Sequence, residues 1–170
     1  MWLTALIPFA LQLIVIALDE GLFHIRRGLP KWEQIGHPLD TLTVLVCMAY
    51  VLWVPFTSST LIGYFVLASF STLFVTKDEF VHHAHCPPAE QWLHAVLFTL
   101  HPITLTVAGF IWPVVQGVPV TSWIAEWLDH PRELHQFLYA QAVAMTLFLL
   151  YQVIAWNIVW RTKPVKTNDQ

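Results

Sequence analysis

The chain has 170 residues, 56% of them hydrophobic and only 11% charged, a balance that excludes an ordinary soluble domain. A net charge of −3 with no long basic run excludes a nucleic-acid surface, so no nucleic acid is expected as a partner. Two cysteines, Cys47 and Cys86, are too few for a disulfide framework. Cys47 falls in an apolar run and reads as packing, whereas Cys86 adjoins a histidine cluster and stands as an optional ligand.

A bilayer core takes about 20 apolar residues per helix. The first run, residues 2–18, lacks the basic flank and small-residue cleavage site of a secretory signal and reads as a retained span. The second and third, 41–56 and 59–76, are separated by Pro55, Thr57 and Ser58, which predict a tight hairpin. The fourth and fifth cover 92–115 and 137–160. Pro8, Pro102 and Pro113 fall within spans, where neighbouring helices tolerate the lost hydrogen bonds. Between the last two runs, residues 122–129 predict a short amphipathic helix on the membrane surface. The expected fold class is all-α: a polytopic integral membrane bundle of about five transmembrane helices, with residues 1–170 forming one domain.

Basic residues orient the spans. Arg26, Arg27 and Lys31 follow the first, Lys77 the third, and Arg161, Lys163 and Lys166 the fifth, against Arg132 alone on the other side. The positive-inside rule therefore puts the N-terminus outside and the C-terminus in the cytoplasm, as expected in a bacterial inner membrane. Trp32, Trp92 and Trp160 then fall at the inner interface, and Trp2, Trp53 and Trp112 at the outer one.

This alternation brings the carboxylate–histidine pairs to one side. Glu20/His24 end the first span, His37/Asp40 begin the second, Glu79/His82/His83 follow the third and Glu90/His94 begin the fourth. Residues three or four apart share a helical face, so each pair can point at one centre. His101 lies two turns beyond His94 and extends the set deeper into the membrane. Ionisable groups are costly at the edge of a bilayer unless compensated, and a metal ion compensates several at once. The expected metal ligands are therefore Glu20, His24, His37, Asp40, Glu79, His82, His83, Glu90 and His94, with Glu79 and Glu90 as catalytic carboxylates. Plainer roles compete at single positions. Asp40 also reads as an N-cap of the second helix, His24 as a headgroup contact beside Arg26 and Arg27, and His130 and His135 as polar groups of the outer loop.

Carboxylates and imidazoles converging from facing helices are the architecture of di-iron and di-manganese sites. Such a ligand mix suits iron, manganese or zinc. The His82-His83 doublet in Glu79-Phe-Val-His-His resembles the paired-histidine boxes of the membrane-bound non-haem di-iron desaturases and hydroxylases. Those families carry three such boxes and fewer carboxylates. The resemblance implies two metal ions, iron first, serving an oxidoreductase that acts on a lipid or isoprenoid-like substrate. Phe65, Phe70, Phe74 and Phe98 are expected to hold its apolar chain. No nucleotide or flavin motif is present, so an electron-donor protein is the expected partner. A zinc-dependent intramembrane hydrolase of a lipid or peptide is the first alternative, with Glu79 or Glu90 as general base. A haem- or metal-binding subunit of an electron-transfer complex, using His94 and His101, is the second.

Overall fold

In a computed structural model, residues 1–78 and 86–160 are described, and among them every regular element is helical. Five helices are long and apolar enough to cross a membrane: α1 (Trp2–His24), α2 (Lys31–Trp53), α3 (Ser58–Val75), α4 (Pro88–Val115) and α6 (Pro131–Val159). The short α5 (Ser122–Trp127) lies between the last two, where amphipathic periodicity predicts it.

Each helix boundary has a local cause. Past α1, Gly28 adopts φ 81°, a conformation that a side chain disfavours, and ends the helical path. Thr57 caps α3 through a reciprocal box with Thr60, as its position in the predicted hairpin requires. α4 ends in a Schellman turn at Gly117, with the Val118 N–H donating to the Pro113 carbonyl. Pro88 and Pro131 sit at the first helical positions, where their missing N–H costs nothing.

The helices outrun the apolar runs at their polar ends. α2 starts at Lys31, well before Asp40, with Pro30 at its N-cap, so Asp40 is mid-helix and does not cap it. α1 and α6 both finish in a π-helical turn, Glu20–His24 and Ala155–Val159.

The closest packing pairs α1 with α4 and α2 with α6, while α3 lies against α2 and α4. Phe9, Met48, Tyr64, Ile111, Trp112, Leu134 and Leu138 fill the core, all towards the end away from the histidines. Trp112, expected at the outer interface, is fully buried. Its Nε1 donates to the Val54 carbonyl at 3.0 Å, and Tyr50, Phe56 and Tyr64 surround its ring. Packing sets the direction of Trp112 around the helix axis, which the sequence did not give. The hairpin after α2 is pinned by Gln116, which accepts from the Phe56 N–H and donates to the Val54 carbonyl.

Candidate metal centre

Beyond Leu18, α1 carries Asp19, Glu20 and His24, all buried. Four-residue spacing places Glu20 beside His24, and the π-helical turn also brings Asp19, five residues back, to the same ring. Glu20 is held on both oxygens. Its Oε1 accepts from the Tyr151 hydroxyl at 2.5 Å and the Trp156 indole at 3.0 Å, and its Oε2 lies 3.1 Å from His24 Nδ1. With Nδ1–H donating to Glu20, the neutral His24 presents its Nε2 lone pair on the other edge. That nitrogen is 3.2 Å from Asp19 Oδ2 and 3.6 Å from Glu90 Oε1, without hydrogen-bonding geometry to either. A lone pair facing two carboxylates is repulsive, and either a proton on that nitrogen or a metal ion between them removes the repulsion. A carboxylate holding the far nitrogen of a histidine is the usual support for a metal-binding imidazole.

From α4 come Glu90, with none of its surface exposed, and His94, whose Nε2 is 3.0 Å from Asp19 Oδ2. α2 contributes Glu33, also wholly buried, and the half-buried His37, whose ring centroid is 4.8 Å from that of His24. Two groups result. Asp19, His24, Glu90 and His94 offer ligand atoms within 4.8 Å of one another, and so do His24, Glu33 and His37. His24 belongs to both. Counting Glu20, four buried carboxylates and three imidazoles gather here among the described residues. Buried carboxylates are strongly unfavourable unless paired, and a metal ion is one partner that serves several at once.

Of the residues expected at the site, His24, His37, Glu90 and His94 converge, and Glu20 stands behind His24. Asp40 lines the same cavity as His24, His37 and His94, its Oδ1 receives the Lys77 ammonium at 2.6 Å, and among the described residues it enters neither group. Lying three residues from His37, Asp40 is rotated towards α3, where Lys77 follows the helix end. Glu79, His82, His83 and His85 lie outside the described residues. Cys86 is buried but enters neither group among the described residues. His130 stacks on Trp2 and bonds Asp129 at the opposite end of the bundle.

Two members were not singled out from sequence. Glu33 repeats the Glu-x-x-x-His spacing of the other pairs, with His37 four residues on, and that signal was available. Asp19 gave none, because neighbours of Glu20 on a regular α-helix face about a quarter turn away; the π-helical turn overrides this.

Members of the cluster line a cavity of about 440 Å³ that runs between α1, α2, α4 and α6. Its walls are mainly apolar and include Phe9, Met48, Phe98 and Phe148. Of the phenylalanines expected to hold an apolar chain, only Phe98 lines it. Phe65 and Phe70 project from the outer face of α3 and are 71% and 54% exposed, because the polar side of α3 turns inward through Ser71. No protein-family model, curated protein or solved structure matches this chain.

Proposed function

We propose that the chain is a membrane metalloenzyme with a dinuclear site on the cytoplasmic side of the bilayer, oxidising a lipid or isoprenoid-like substrate. The observation that carries this reading is the pair of ligand groups joined at His24, which with His37 and His94 lines a mainly apolar cavity. Asp19, Glu90 and His94 would hold one ion and Glu33 and His37 the other, with His24 between them. This mix of oxygen and nitrogen donors fits iron or manganese, and its carboxylate content is that of helical-bundle di-iron sites. Iron bound there would supply redox chemistry with dioxygen, fed by an electron-donor protein.

The protein's own residues divide the remaining work. Glu20 fixes the tautomer and plane of His24, and is itself fixed by Tyr151 and Trp156. The apolar walls, with Phe98 and Phe148 among them, exclude water and align a hydrocarbon chain. Glu90 is wholly buried and outside the cavity lining, so its part in this reading is to hold the ion with Asp19 and His94.

Elemental analysis of the detergent-purified protein, read with its visible spectrum, tests the reading. About two irons per chain without a Soret band are expected for a site of this type. Zinc alone would move the chemistry to hydrolysis, a Soret band to haem ligation, and metal-free protein would remove the reading altogether.

A further inference from the structure

Deep in the same cavity lies a second polar patch that the metal centre does not use. α1 and α4 run antiparallel with Asp19 against His94, so two turns further in from each, Gln12 comes level with His101. Thr104 follows His101 by three residues on the same face of α4, and all three residues line the cavity. At 1.5 Å rise per residue, the level of Gln12 and His101 is about 10 Å from the metal ligands.

Counting protons gives this patch its chemical character. The Thr43 hydroxyl donates to the Asp40 carbonyl at 2.8 Å. The Ser71 hydroxyl must then donate in its 2.8 Å contact with Thr43 Oγ1. The remaining 3.0 Å contact, between Ser71 Oγ and His101 Nε2, takes its proton from the imidazole. A neutral His101 therefore keeps an acceptor lone pair on Nδ1. Gln12 Oε1 and Thr104 Oγ1 are buried and have no hydrogen-bond partner among the described residues. Thr99, Thr106 and Thr146 each satisfy their hydroxyl on the carbonyl four residues back, and Thr104 does not. Two acceptors and the free Thr104 hydroxyl, with the Gln12 amide N–H groups beside them, thus meet in a mainly apolar chamber whose lining also includes Gln141.

We infer that this patch binds the hydroxyl of a long-chain alcohol, the substrate class of the proposed oxidoreductase. A hydroxyl donates one hydrogen bond, to Gln12 or His101, and accepts one, from Thr104. A bare hydrocarbon or an ether leaves the acceptors unpaired, and a carboxylate also leaves them unpaired while burying a charge with no lysine or arginine among the described lining residues to meet it. The cavity volume lies in the range of small-molecule sites. Anchored there, the alcohol directs a carbon about two helical turns away towards the metals.

The inference rests on the proposed oxidation for its role in substrate choice, but its binding test does not. Purified full-length protein in detergent is titrated with 1-tetradecanol, its methyl ether and tetradecane, with affinity read by native mass spectrometry and metal content measured on the same samples. The alcohol is expected to bind about tenfold more tightly than the ether, the value of one net hydrogen bond. Thr104→Val and Gln12→Met, each close in shape to the residue replaced, should each erode that preference and leave metal content unchanged. Where one variant fails to fold, the other decides. Equal affinity for alcohol and ether, or a preference that survives both changes, overturns the inference whatever metal is found. A preference seen in metal-free protein upholds the binding site and removes only the oxidation reading.

Discussion

At one end of the bundle Trp112, Tyr64, Tyr50 and Phe56 interlock around α4, whereas at the other end carboxylates, imidazoles and a cavity occupy the space between the same helices. The aromatic end satisfies its polar atoms locally: the Tyr64 hydroxyl on the Leu105 carbonyl at 2.6 Å, the Trp112 indole on Val54. The polar end leaves Asp19 Oδ1 without a hydrogen-bond partner among the described residues. The contrast separates the part of the molecule that holds the fold from the part that could hold a metal ion. Close packing at one end lets the other tolerate concentrated negative charge and empty volume.

That division can be broken at either end. The largest expected effect is Trp112→Ala, which should cost about 3–5 kcal/mol of stability through lost burial and a cavity. It would be read by denaturant unfolding in detergent, with the metal content of the folded fraction unchanged. If metal is lost in proportion to a smaller stability change, the two ends are not separate.

Stripping the metal with a chelator should come next, at about 3–4 kcal/mol for a site loaded at 100–1,000 times its dissociation constant. Glu90→Gln removes one buried charge, so it should narrow the gap between loaded and stripped protein in thermal unfolding. A wider gap would show that carboxylate repulsion is not the source of the apo-state penalty. Glu20→Gln sharpens the view of Glu20 as a support: metal affinity should fall about 10–100-fold by competition titration, with stoichiometry kept. Loss of a whole metal would make Glu20 a ligand.

Tyr64→Phe at the aromatic end deletes one hydrogen bond to Leu105 and should cost about 1 kcal/mol, with no change in metal affinity. The smallest effect is expected at Asp129, solvent-exposed beyond the spans. The hydrogen bond from His130, and behind it the N-terminal ammonium, hold its carboxyl below the usual aspartate range. A lowered folded-state pKa stabilises above the ordinary value and is lost as pH falls through the lowered one. Asp129→Asn should therefore differ from wild type only slightly at neutral pH and not at all in acid, as melting curves at both pH values would show.

Much of the fold is legible in the chain. Hydropathy runs located five helices, to within a few residues at the aromatic end for all but α6, which starts at Pro131 ahead of its run, and Pro55, Thr57 and Ser58 marked the α2–α3 hairpin. At the polar ends the runs stopped short, because helix propensity continues where hydrophobicity does not; α2 extends ten residues before the run starts. The site was legible as a set of i,i+4 pairs, and His24, His37, Glu90 and His94 converge as that spacing requires. Asp19 was hidden by a π-helical turn, and Asp40 pairs with Lys77, a contact between residues far apart in sequence.

Sequence alone determined which residues form helices and that their polar pairs gather at one end. Hydrophobic run length and the reversal of direction at each span require nothing from beyond the chain's linear order. Tertiary structure alone decided which polar side chains meet, that Glu20 supports His24, and that Gln12, His101 and Thr104 share a chamber. Those outcomes depend on how far each helix is rotated about its axis, a choice made by packing against its neighbours.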